Sequence, residues 1–143
     1  RVRQGLPSAV SGGETCLGRV ALRQAIEANA IDILQPDVAG CGGITEMRKI
    51  ITHAETSGIR VVPHVWGTGV AVAASLHVLA TIPPQPGRHT NRDPWLEFDQ
   101  TPHAYRMAVL QQSITHEAGR VAIPDGPGLG IEIDREVLKD FRA

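Results

Sequence analysis

Four residues that can attract, hold or pass on a proton recur along the chain at comparable intervals: Glu14, Asp37, His64 and Glu97. Asp37 stands 23 positions after Glu14, His64 27 after Asp37, and Glu97 33 after His64. Each lies at or near the end of a stretch suited to extended backbone: "PSAVSGGE", "IDILQPD", "IRVVPHV" and "PWLEFD". Imidazole is the side chain whose ordinary pKa, about 6.5, lies nearest neutrality. A carboxylate beside it fixes its tautomer and raises its basicity, which makes a general base or acid. Asp37 and His64 each follow a proline, Pro36 and Pro63, so on consecutive strands their side chains are placed to meet. Trp66 and Thr68, just after His64, are candidates for the walls of a pocket, although Trp66 could equally pack beneath its loop.

Taken singly, each residue has a plainer explanation. Asp37 could cap a loop or helix, and His64 could be a hydrogen-bonded packing residue. Glu14 could sit at the positive end of the following helix, and Glu97 on the surface of an edge strand. The pattern carries weight as a set, because four independent accidents would have to fall at one end of one architecture. His53, His77, His89, His103 and His116 lack this placement and read as surface, core or loop residues.

Such residues act together only if the fold brings their stretches side by side. Val20, Ala21, Gln24, Ala25 and Ala28 fall at helical spacing, which predicts a helix over 17–30. Ile44, Met47, Ile50, Ile51 and Ala54 predict a second over 42–58, with Thr45 as a cap and Gly58 as its stop. "GVAVAASLHVLATI" predicts a third over 69–82, apolar nearly all round and so buried on more than one side. Strands are expected over 7–14, 31–37, 59–65 and 94–99, with a turn-rich connection at 83–93. Regular alternation of strand and helix is the mark of an α/β fold with parallel strands and right-handed crossovers. In a closed parallel barrel the four strand ends would share one mouth, where active sites of such barrels are built. Beyond residue 118 the alternation stops. Residues 119–134 read as short extended pieces around a Pro/Gly turn, and 135–142 as a short helix. "GPGLG" lacks the GxGxxG spacing and a strand–helix context, so it reads as a turn.

Composition narrows the classes. The chain has 143 residues, is 42% hydrophobic and has a formal charge of −1, which suits one domain with a core and offers no basic surface for nucleic acid. Aromatics at 3% leave little for base stacking. No apolar run approaches the roughly 20 residues of a membrane-crossing helix. The opening "RVRQGLPSAV" lacks the apolar core of a signal peptide. Cys16 and Cys41, without CxxC spacing, do not form a disulfide framework, so a reducing cytoplasmic setting is expected.

"GGET", "DILQPDVAGCGGITE", "VVPHVWGTGVAVAASLHVLA", "PWLEFD" and "IPDGPGLGIEID", in this order, resemble the C-terminal part of the enolase superfamily in its mandelate racemase subgroup. "PHVWGTG" and "QPDVAGCGG" are most similar to the galactarolactone cycloisomerases and the related acid-sugar dehydratases. The resemblance implies the C-terminal half of a (β/α)7β TIM-like barrel. Residues 1–118 would be the barrel portion, strands five to eight with their helices, and 119–143 a return segment that packs on a capping domain.

The resemblance also implies roles. Glu14 matches the last of three carboxylates that bind Mg2+. Asp37 and His64 match a dyad that moves a proton at the carbon next to a carboxylate, and Glu97 an acid that hydrogen-bonds the substrate's carboxylate. Charge developing on such a weak carbon acid must be met by a metal and preorganised donors. The implied reaction is proton abstraction followed by β-elimination on an aldaric acid lactone. Sugar-acid dehydration, racemization or epimerization are alternatives. The other two metal carboxylates, an early-strand lysine and the capping domain have no counterpart here, so the chain is expected to be inactive alone and part of a homo-oligomer when complete. A non-catalytic half-barrel assembly module is the alternative of another kind, disfavoured by the intact set of four. A flavodoxin-like binding module would need a phosphate loop where "GGETCLG" puts a repelling carboxylate.

Overall fold

The structure, a computed structural model, describes residues 2–82 and 93–141. After a single helical turn, α1 (Val2–Gly5), it alternates β1 (Ser11–Gly12), α2 (Gly18–Glu27), β2 (Ile33–Leu34), α3 (Ile44–Thr56), β3 (Arg60–Val61) and α4 (Gly69–Leu79). The three strands form one parallel sheet in the order β1-β2-β3. Ile33 pairs with Arg60 and Leu34 with Val61, and the same offset recurs in a bridge between Asp37 and His64. The two chains therefore stay in register past both prolines, which lack a donor and interrupt the ladder.

Side-chain alternation explains which face each residue takes. Leu34 and Val61 point to the helices and join Leu22 and Ile26 of α2 and Met47, Ile50 and Ala54 of α3 in a buried core. The amphipathic spacing of α3 does what the sequence implies, but in α2 Leu22 and Ile26 are buried while Val20, Gln24 and Ala28 of the expected face are exposed. Gly58, at φ +70°, ends α3 as expected, its N–H donating to the Glu55 carbonyl. The N-cap of α3 is Gly43 at φ +88°, not Thr45, and no side chain caps it. Helix α4 lies between two cores: Val78 enters the first, while Val72, Ala73 and Leu76 enter a second with Val65, Val109, Leu110 and Ile114. That accounts for its lack of a polar face.

Residues 94–99, expected as a fourth strand, belong to no sheet. They run alongside β3 in the parallel sense, since Trp95 lies against Arg60 and Glu97 against His64 and Val65. The contacts are made by side chains in place of a backbone ladder. Residues 83–92 of the expected connection, with His89, lie outside the described residues, as do Arg142 and Ala143.

The tail returns over the second core. A hairpin of β4 (His116–Glu117) and β5 (Arg120–Val121) turns through Ala118 and Gly119, both with positive φ, which matches the right-handed twist of the strands. Leu110 bridges Ile133 in the antiparallel sense, and Leu129, Ile131, Ile133 and Leu138 pack on the α4 cluster. Short helix α5 (Arg135–Asp140) is capped by Asp134, which accepts from the N–H groups of Glu136 and Val137.

Candidate active site

The backbone places three of the four singled-out residues from local rules. β1 ends in Gly12 and Gly13, and Gly13 (φ +113°) lies so close to Leu22 and Leu34 that a Cβ there would crowd both. That close turn delivers Glu14 to the sheet's C-terminal edge. On β2 and β3, the period of two that sends Leu34 and Val61 to the helices sends Gln35 and Asp37, and Val62 and His64, to the opposite face. Glu97 arrives from the extended segment beside β3.

The side chains converge on His64. Its Nδ1 lies 2.7 Å from Glu97 Oε2 and 3.6 Å from Glu14 Oε2. Glu97 Oε2 also accepts from the Val65 backbone N–H at 3.2 Å, and Glu97 Oε1 accepts from the Gln35 amide at 2.9 Å. His64 is about one-quarter exposed at its side chain and Glu97 about two-fifths (24% and 38%), so the cluster is sheltered yet reachable.

Asp37 is level with His64 on the neighbouring strand, but no hydrogen bond joins the two side chains. Asp37 Oδ1 instead accepts from the Gly40 N–H at 2.8 Å, an interaction within its own loop. The expected side-chain contact between Asp37 and His64 is thus absent, and Glu97 occupies the Nδ1 side of the imidazole. The short Asp37 side chain is captured by its own loop, while the longer glutamate reaches the imidazole. Trp66 is exposed, at 72%, and Thr68 is the residue before α4, with no side-chain cap bond. Cys16 and Cys41 are free thiols. Burial, reinforced by the Asp37 charge, pushes the Cys41 thiol up, away from reactive thiolate.

Three other histidines have structural partners. His77 Nε2 meets the Leu129 carbonyl at 3.1 Å, His103 Nδ1 accepts from the N–H groups of Tyr105 and Arg106, and His116 stacks edge-on against Phe98. The member of this cluster missed by reading the sequence is Gln35. Its signal was available, because it lies two positions before Asp37 and hence on the same face.

Glu14 offers a hard oxygen donor of the kind a divalent cation such as Mg2+ takes, and its side chain is about half exposed. Among the described residues, however, no group of three or more His, Cys, Asp or Glu side chains could hold a metal ion. The described residues alone therefore do not close a magnesium site. No helix among the described residues is long and apolar enough to cross a membrane.

Comparison with known proteins accords with this geometry. D-galactarolactone cycloisomerase of Agrobacterium fabrum is 53% identical over 142 residues, which cover 99% of this chain and 38% of that protein. Arabinonate dehydratase of Saccharolobus solfataricus is 30% identical over 142 residues, 99% of this chain and 36% of the relative. Among solved structures, 3,6-anhydro-D-galactonate cycloisomerase of Zobellia galactanivorans superposes with a TM-score of 0.87 at 34% identity, covering 99% of this chain and 38% of that one. The chain thus spans little more than a third of the length of these relatives. Residues 1–137 match the family described as enolase C-terminal domain-like. The parallel α/β sheet and this match over nearly the whole chain together establish that the chain belongs to the enolase superfamily, with the fold of its C-terminal barrel part.

Proposed function

We propose that this chain carries the proton-moving half of an enzyme that acts on an acid sugar or its lactone. The observation that carries the reading is the convergence of Glu97 and Glu14 on the Nδ1 side of His64, leaving Nε2 for a substrate. In a chain akin to D-galactarolactone cycloisomerase, His64 Nε2 takes the proton from the carbon next to the substrate's carboxylate, and β-elimination then opens the ring of an aldaric acid lactone. A dehydratase of an open-chain sugar acid would use the same first step, and the kinship with arabinonate dehydratase supports that second reading.

The other side chains divide the work. Glu97 is the group that meets the substrate's carboxylate as negative charge develops there. Asp37, level with His64, is the second member of the proton-moving dyad and orients the imidazole alongside Glu97. Trp66 and Thr68 wall the pocket. Glu14 is one ligand of Mg2+, whose remaining carboxylate ligands come from outside these 143 residues. Bound there, Mg2+ supplies electrostatic stabilization for the anionic substrate. In the same reading the barrel portion ends at residue 118, and the segment from 119 also faces a capping domain.

The test is solvent exchange. In D2O, with Mg2+ and galactarolactone or galactarate, the protein as its own gene encodes it is expected to exchange the substrate's α-proton. The His64→Asn variant should bind substrate comparably and lose the exchange, by about 10²-fold or more. Unaltered exchange in the variant would remove His64 from the mechanism.

A further inference from the structure

Gln35 makes a contact that no role so far explains. Its backbone N–H donates to the Gly12 carbonyl at 2.8 Å, which locks the direction of its side chain onto the face that carries Asp37 and His64. It is level with Val62 on β3, one side-chain layer below His64, because the offset that pairs Leu34 with Val61 pairs position 35 with 62. The residue it touches lies beyond β3, about two strand spacings or roughly 10 Å away across the sheet. Two long polar side chains, Gln35 from beneath and Glu97 from the far side, meet over Val62 at 2.9 Å.

The two oxygens of Glu97 are thereby distinguished. Oε1 accepts from an amide N–H2, a group that can donate but has no proton to give up. Oε2 faces His64 Nδ1 at 2.7 Å, where one proton can be held between ring nitrogen and carboxyl oxygen. We propose that Gln35 is a positioning residue for Glu97: by occupying Oε1 it fixes the carboxyl's rotation and leaves Oε2 as the oxygen that faces the imidazole and carries the proton. Without Gln35 the carboxyl keeps only the contacts of Oε2 with the Val65 N–H and His64 Nδ1, and its last torsion, which is broad, is less restrained. Oε1 and Oε2 would then compete for the imidazole and for substrate. Gln35 touches neither and acts only through Glu97.

The role in turnover rests on the acid-sugar reading; the role in placing Glu97 does not, and the experiment separates the two. Gln35→Met keeps length and removes the donor, while Gln35→Glu keeps shape and replaces the donor with an acceptor. Both are made in the protein as its own gene encodes it, and their crystal structures are compared with the parent. The expected result is a rotated Glu97 carboxyl, with Oε2 displaced from His64 Nδ1 beyond hydrogen-bonding distance in at least Gln35→Glu. Turnover of galactarolactone should fall on the order of 10²-fold in kcat, the scale of a small misplacement at a reacting centre, with KM changed by much less. A Glu97 that keeps its place in both variants overturns the proposal, whatever the activity. A displaced Glu97 with kcat intact overturns the role in turnover and leaves the role in placing Glu97. If the parent protein turns over no acid sugar or lactone, the reading of its reaction falls instead, and the structures alone decide on Gln35. Should Gln35→Met fail to fold, the isosteric Gln35→Glu still decides.

Discussion

At the scale of single residues, the arginine that anchors the loop after Glu97 is the clearest test of what holds the site. Arg106 is 7% exposed, pairs with the Asp99 carboxylate, and donates to the carbonyls of Asp99 and Thr101 at 3.1 and 3.2 Å. Those bonds close the chain two residues beyond Glu97. Asp99 is held below the ordinary carboxylate range, first by the Thr101 side chain and backbone N–H and then by Arg106. A carboxyl with a folded pKa below its unfolded value contributes stability that is complete above the ordinary value near 4 and is lost as pH falls below it. Arg106→Met should therefore destabilize the protein at pH 7 by roughly 2 kcal/mol, chiefly through the two stranded carbonyls. The gap between variant and parent should narrow as pH falls below the ordinary carboxylate value near 4 and on through the lower value that Asp99 has in the fold. Urea denaturation at pH 7 and in mild acid measures both; a gap that is constant or widens in acid would show that Asp99 is not part of the pairing. Of the residues discussed, Glu14, Asp37, His64 and Glu97 were legible from type and spacing. Their partners were not. Whether an aspartate faces a histidine or its own loop turns on side-chain length and one backbone N–H, and spacing encodes neither.

At the scale of elements, helices were the readable part. A 3.6-residue period marks the buried face of α3, while in α2 it marks the helix but not its face, which Leu22 and Ile26 supply. The strands were readable in place but not in length, since prolines at 36 and 63 break the ladder that a β-branched run promises. The segment 94–99 could not have been resolved by pattern at all, because a ladder needs a backbone in register beside it and Glu97 and Trp95 hold it by side chains instead. One element junction was hidden for a different reason. Gly69 opens α4 directly after the His64 loop, and its glycine is required by a neighbour 41 positions later. A Cβ at Gly69 would lie 2.8 Å from Leu110 Cγ and closer still to its Cδ1, and Leu110 is itself buried in the second core. The Gly69 N–H also donates to the Arg106 carbonyl at 2.7 Å, so the helix start cannot retreat without cost. Gly69→Ala should destabilize by about 1–3 kcal/mol through overpacking, despite alanine's better helix propensity. Gly69→Ala combined with Leu110→Ala should cost less than the sum of the two single changes, a coupling that a double-mutant cycle reads directly. Additive losses would mean that Leu110 does not press on this junction.

At the scale of the whole molecule, the structure holds two good cores beneath an incomplete surface. The parallel sheet has three strands with ladders of two residues each, and β1 stands at its open edge. Leu17 and Val20, at the start of the helix that follows β1, are 69% and 63% exposed. A few short strands seldom suffice for independent stability, and an unpaired edge next to exposed aliphatic side chains is a template for association. The buried α2–α3 cluster resists unfolding, so the fault lies in what is uncovered rather than in what is packed. Produced as these 143 residues alone, the protein is expected to self-associate, with a sedimentation coefficient that rises with concentration, and to unfold over a broad range. Leu17→Lys and Val20→Glu on the exposed face of α2 should reduce that association without disturbing the core, because neither position is among the buried residues. A 15.3 kDa species that stays monomeric across the concentration range and unfolds sharply would mean instead that the edge needs no cover. If Glu14 is a magnesium ligand as proposed, that outcome bears on function, since it sits just beyond β1, on the strand where the sheet is open. A surface that completes the edge would be the one best placed to bring further oxygen ligands to its carboxylate, so structural completion and metal binding should appear together or not at all.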